Sequence, residues 1–149
     1  MAVLGFSQKP IVMPHYPHML PEDRRIWTVF LESEVVEITE VWYDVHVGQG
    51  VLLPVGASAL EQRIRDGITR KRIDVVCHVG DKYWVVEVKP RANMYALGQI
   101  LTYVRLFSSE FAMVDEVVPV VICDEVDEDL LYLIEEFGVM VWRMVGPAV

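Results

Sequence analysis

Residues 72–90 read RIDVVCHVGDKYWVVEVKP, two valine-rich runs with Gly80-Asp81 between them. Short apolar runs bounded by charge read as strands buried on both faces. A glycine at the first of two connecting positions suits a type II′ turn, whose twist matches that of the strands it joins. The stretch is therefore read as a hairpin, Arg72 to Val79 and Lys82 to Lys89, with Pro90 ending the second strand. A two-residue turn also sets the register. Val79 faces Lys82, Cys77 faces Trp84, and Asp74 faces Glu87. Directly opposed side chains share a face, with Cβ atoms roughly 5 Å apart. Lys89, two residues beyond Glu87, projects from that face too. One end of the hairpin thus gathers two carboxylates and an ammonium.

Two apposed carboxylates in a half-buried setting repel, so one holds a proton unless a cation lies between them. A hard divalent ion with oxygen ligands, Mg²⁺ above all and Mn²⁺ as its substitute, is the natural occupant. Beside it, Lys89 could stabilise charge building on a phosphate oxygen or hold an attacking water. The bland alternative is a surface salt-bridge cluster, because Asp and Glu are common at strand ends, and spacing alone leaves both readings open.

Outward from the hairpin, the pattern resolves into a single domain. Pro21 at a first helical position, Glu22 and Asp23 behind it, and Ile26, Trp27, Phe30 and Leu31 at helical spacing give a helix to about Ser33. Residues 35–47 are rich in β-branched and aromatic residues and read as a strand. Gly48, Gly50, Pro54 and Gly56 mark a loop. Ser58 and Glu61 form a capping box for a short helix, LEQRIRD, that Gly67 is expected to stop. After the hairpin come a helix over 94–107, a strand over 117–123, a helix over 127–137 ending at Gly138, and a strand over 139–144. The order is α-β-(α)-β-β-α-β-α-β, an α/β domain over residues 1–149 with a mixed central sheet between helices. Residues 1–20 form an N-terminal arm and residues 48–71 a loop-and-helix insert.

At 149 residues, 53% of them hydrophobic, the chain can bury roughly two thirds of its unfolded surface. The mean hydropathy is +0.31, yet no apolar run approaches the roughly 18 residues that span a bilayer. The first ten residues lack a signal-peptide pattern, so the expectation is a cytoplasmic protein. Cys77 and Cys123 sit inside apolar runs and read as small core hydrophobes. His15 and His18 have no second ligand pair at metal spacing. Trp42, Tyr43 and Trp84 read as core or interface. The net charge of −9 argues against a general nucleic-acid binder. It is unevenly spread: residues 61–91 hold eight Lys or Arg against five Asp or Glu, a local +3, while residues 108–138 hold ten acidic residues and no basic one.

The segment RIDVVCHVGDKYWVVEVKPRANMYALGQILTYVRLF, residues 72–107, resembles the core of the PD-(D/E)xK nuclease superfamily. There an Asp begins one strand and Glu-x-Lys ends the next, matched here by Asp74 and Glu87-Val88-Lys89. Many members carry Gln-x-x-x-Tyr on the following helix, matched by Gln99 and Tyr103, which lie four apart on one helix face. The resemblance implies a restriction-endonuclease-like αβββαβ core and a Mg²⁺-dependent (or Mn²⁺-dependent) nuclease acting on nucleic acid, DNA first. In that reading Asp74 and Glu87 hold the metal, Lys89 stabilises charge or water, Gln99 assists and Tyr103 supports. The proline of the family motif is replaced by Ile73. A first-helix glutamate is also frequent in the family, and Glu22, Glu32 and Glu34 are the candidates. Arg63, Arg65, Arg70, Lys71 and Arg72 are candidate phosphate contacts. So small a chain implies a homodimer or a component of a larger assembly, such as that of a phage or mobile element. The rival readings are an inactive assembly module on the same fold, a hydrolase using the carboxylates as acid and base, and an acidic inhibitor.

Overall fold

The computed structural model describes residues 2–51, 53–113 and 115–144. The elements run α1 (Pro21–Ser33), β1 (Ile38–Val47), α2 (Ala59–Thr69), β2 (Lys71–Val79), β3 (Lys82–Ala92), α3 (Met94–Glu110), β4 (Val117–Val126), α4 (Leu131–Glu136) and β5 (Met140–Arg143). A 3₁₀ turn over Glu128–Leu130 leads into α4. The five strands form one mixed sheet in the order β1-β2-β3-β4-β5. The first two pairings are antiparallel and the last two parallel, so the chain is α/β with helices on both sheet faces. No helix among the described residues is long and apolar enough to cross a membrane.

The central strands alternate their residues between two cores. Val85, Val76 and Val121 pack with Leu97, Ile100, Tyr103 and Phe107 of α3. Val75, Val86, Val88, Val120 and Ile122 pack with Ile26, Trp27 and Phe30 of α1 on the other face. Helix α1 has no side-chain N-cap and is too short to be stable alone. Burial of those three side chains, at about 1.5–3 kcal/mol each, holds it on the sheet. The ion pair of Arg25 with Asp124 ties the same helix to β4. Both cysteines are unpaired and buried, and Trp42 and Trp84 are core residues. The N-terminal arm lies along the edge strand, with Gln8 paired to Val41 and the Gly5 carbonyl accepting from the Trp42 indole at 2.9 Å.

Several boundaries differ from expectation for identifiable reasons. Strand β1 begins at Ile38, because Glu34 caps α1 in the left-handed conformation (φ 49°) and the chain must turn before it can pair. Helix α2 runs past Gly67 to Thr69, where the Thr69 hydroxyl donates to the Arg65 carbonyl at 2.9 Å and receives the Val51 amide at 2.7 Å. Strand β3 continues through Pro90 to Ala92. The Val88 amide points toward β2, donating to the Asp74 carboxylate at 3.0 Å. By the period of two, Pro90 presents its missing N–H to that same side. The β2–β3 ladder has already ended at Val75–Val86, so the proline costs no bond there.

Candidate active site

The hairpin register is the one the turn dictates: Cys77 opposes Trp84 and Val79 opposes Lys82. Of the two turn residues only Gly80 has positive φ, 63°, as a type II′ turn requires. Beyond Val75–Val86 the two strands part. β2 stays with β1, pairing Ile73 to Val45 and Arg72 to His46, while β3 stays with β4, pairing Lys89 to Cys123. Asp74 and Glu87 stand at the fork and fill it with side-chain bonds. The Asp74 amide donates to Glu87 Oε1 at 3.4 Å, and Asp74 Oδ2 accepts the Val88 amide. Lys89 Nζ lies 3.7 Å from Glu87 Oε2.

Glu87 is 2% exposed, the one buried charged residue of the described chain. Burial drives its carboxyl well above the usual range, the Asp74 charge raises it further, and Lys89 opposes both. Asp74 is pushed up to about 6, again by burial first, against the lowering by the Val88 amide and Lys89. Two carboxylates in this state are a place where a cation would be stabilised strongly. The Tyr103 hydroxyl is raised by burial and by the same two negative charges.

The fork opens into a cleft lined by His18, Asp23, Lys71, Asp74, Glu87 and Lys89, with Gln99 and Tyr103 from α3 on its wall. Asn93, the single residue between β3 and α3, caps the helix by accepting the Ala96 amide at 3.0 Å, and this short connection sets Gln99 and Tyr103 on the cleft wall. The Gln99 Oε1 atom is buried with no hydrogen-bond partner among the described residues. A buried amide oxygen left unpaired costs free energy, and a water or ligand in the cleft would supply what it lacks.

The structure brings together Asp74, Glu87, Lys89, Gln99 and Tyr103. It does not bring Glu22, Glu32 or Glu34 to them: all three are exposed, and Glu34 borders a separate groove with Pro10 and Ile38. The acid that α1 contributes is Asp23. Burial raises its carboxyl, Lys89 lowers it, and its charge in turn raises both Asp74 and Glu87. Asp23 stands three and four residues before Ile26 and Trp27 and seven before Phe30. It therefore continues the helix's buried stripe, a signal that was present in the spacing.

The basic residues divide. Arg70, Lys71 and Arg72 line the cleft, and Arg63 does not. Arg70 is committed internally, donating to the Gly48 carbonyl at 2.7 Å and ion-pairing with Glu110. Arg72 grips Asp44 with two bonds of 2.8 and 2.7 Å. That pair holds Asp44 at φ 53°, a conformation costly for a non-glycine. Burial pushes the Asp44 carboxyl up, but the Arg72 bonds and charge outweigh it and leave it below the usual value. Lys71 makes no ion pair among the described residues and is exposed at the cleft.

Among the described residues no three His, Cys, Asp or Glu side chains stand together as a metal-holding group. The donor set of the fork is two carboxylates and an amide oxygen, all hard oxygens. It fits Mg²⁺ or Mn²⁺, which complete their shells with water and substrate phosphate rather than with a full protein cage. Comparison with family models, with curated proteins and with solved structures returned no match to this chain.

Proposed function

We propose that this chain is a metal-dependent nuclease of the PD-(D/E)xK type, with a restriction-endonuclease-like αβββαβ core, hydrolysing phosphodiester bonds of nucleic acid, DNA first. The observation that carries this reading is the fork itself. Half-buried Asp74 and buried Glu87 stand in mutual repulsion, with Lys89 Nζ 3.7 Å from Glu87 Oε2. A purely structural ion pair needs one carboxylate per ammonium, and a second carboxylate set against the buried one only destabilises it.

Asp74 and Glu87 would hold the divalent ion, which supplies phosphate polarisation and a bound water of lowered pKa. The remaining groups act from the protein. Lys89 keeps a fixed positive charge where the phosphate oxygens gain negative charge. Gln99 Oε1 accepts from the attacking water and orients it. Tyr103, hydrogen-bonded to the Gln99 side chain, would help to hold it in place. Asp23 adds a third negative charge at the rim, which strengthens cation binding and demands it. Lys71 offers the cleft's uncommitted ammonium to the substrate backbone.

Cleavage of labelled linear, nicked, branched and single-stranded DNA and of RNA, with Mg²⁺, Mn²⁺ or EDTA, tests the proposal. Metal-dependent cleavage lost in both Asp74→Ala and Lys89→Ala is the expected result. Cleavage that persists in both variants would overturn the assignment of the site. Failure to cut any substrate, with no Mg²⁺ or Mn²⁺ binding by calorimetry, would turn the fold into an assembly module instead.

A further inference from the structure

Helix α2 is inside out. Its half-buried side is polar: Gln62 donates to Asp66 at 2.9 Å, Thr69 holds the Val51 amide, and Arg70 is bonded to the Gly48 and His46 carbonyls and to Glu110. Its outward side is apolar. Leu60, Ile64 and Ile68, spaced four apart on one stripe, are 59%, 55% and 70% exposed, and Val51 beside them is 56% exposed. The anchoring rules out a stray excursion of the chain. A capping box starts the helix, Arg70 and Glu110 clamp its end to α3, and Gly50 passes so close to Thr69 and Asp66 that a Cβ there would lie 2.6 Å from the Thr69 hydroxyl. A fold that fixes an aliphatic stripe toward water presents it to something.

The charges around the stripe identify the occupant. Arg63 and Arg65 flank it, are exposed, and make no ion pair or side-chain hydrogen bond among the described residues. Pairing α2 with its own copy would set these arginines against each other. The surface of opposite sign is carried by the same chain. On the 3₁₀ turn and α4, Leu131 and Tyr132 are 53% and 78% exposed amid Glu128, Asp129, Glu135 and Glu136, all exposed and without ion-pair partners among the described residues. Each surface is an aliphatic or aromatic centre with a charged rim, and the rims are complementary.

We propose that α2 of one molecule docks on the acidic α4 face of a second copy. Leu60, Ile64 and Ile68 cover Leu131 and Tyr132, and Arg63 and Arg65 meet the α4 carboxylates. The two surfaces are unlike, so the contact either forms twice about a two-fold axis, closing an isologous dimer, or forms once per pair and runs on from copy to copy. It does not depend on the chemistry of the cleft.

Sedimentation velocity of the full chain at tens of micromolar tests this. The wild type should sediment as a species larger than the monomer and dissociate in high salt. Arg63→Glu with Arg65→Glu should weaken association by about tenfold or more, as should Glu135→Arg with Glu136→Arg. An equimolar mixture of the two double variants should associate again, because each then offers the rim the other needs. Ile64→Asp should leave a monomer. All five positions are exposed, so melting curves should match the wild type and exclude misfolding as the cause. A monomeric wild type, association that survives the α4 substitutions, or a mixture that stays monomeric would each overturn the proposal.

Discussion

Glu87 occupies a place where a carboxylate costs the fold free energy, since burial and Asp74 both disfavour its charge. A carboxyl raised above its unfolded value contributes stability that is fully present below the unfolded pKa and is lost as pH rises through the folded pKa. Without metal, the protein should therefore lose stability as pH climbs from about 4 through the Asp74 value of about 6 and beyond. Glu87→Gln removes the repulsion. At pH 7.5 in EDTA it should raise stability by about 1 kcal/mol or more, roughly 2–4 °C in Tm, while abolishing cleavage. Differential scanning calorimetry across pH checks both the sign and the window, and a variant less stable than wild type at neutral pH would contradict the account. Asp23→Asn is the second residue-scale test. It removes a rim charge without touching the fork, so the Mg²⁺ concentration needed for half-maximal cleavage should rise severalfold while the melting temperature in EDTA holds or increases.

At the scale of the elements, the site exists because β2 and β3 part company after Val75–Val86. The two prolines one could place on β3 separate ladder from fork. Pro90 faces the side that β2 has left, so Pro90→Ala should change stability by no more than about 0.5 kcal/mol. Val88 donates its amide to Asp74 at 3.0 Å and buries its side chain against α1. Val88→Pro should cost about 3 kcal/mol or more and release the Asp74 carboxylate. Chemical denaturation of the two variants side by side measures the contrast, and equal costs would mean that the fork is not held by the Val88 bond.

At the scale of the whole molecule, charge is segregated. The chain carries −9 overall, but its basic residues concentrate in 61–91 and its acidic ones in 108–138. Within the cleft Asp23, Asp74 and Glu87 gather negative charge on one side, so a bound divalent ion should stabilise the entire fold by mass action. At about 100 times its dissociation constant the gain is about 2.7 kcal/mol. The metal binds deprotonated carboxylates, so this gain should grow as pH rises through about 6 and vanish in Asp74→Asn with Glu87→Gln. Thermal shift with Mg²⁺ or Mn²⁺ at several pH values checks it. Absence of any metal-dependent shift in the wild type would remove the cation from the site.

The legible part of this protein lay where local rules act alone. Gly80-Asp81 dictates a two-residue turn, the turn dictates the register, and the register brings Asp74, Glu87 and Lys89 to one end of the hairpin. The capping box at Ser58 and the apolar spacing of α1 are equally local. Asp23 was also within reach, because it continues the stripe of Ile26, Trp27 and Phe30. Other features required the assembled sheet. Pro90 reads as a strand end until the departure of β2 removes the bond it would have broken. Arg70 and Arg72 read as free phosphate ligands until Glu110 and Asp44, distant in sequence, take them up. Composition and spacing determined the elements, the hairpin register and the acidic pair within it. The tertiary structure alone decided which charges stay free and which way α2 turns its apolar side, because those outcomes depend on partners that only the packed chain brings within reach.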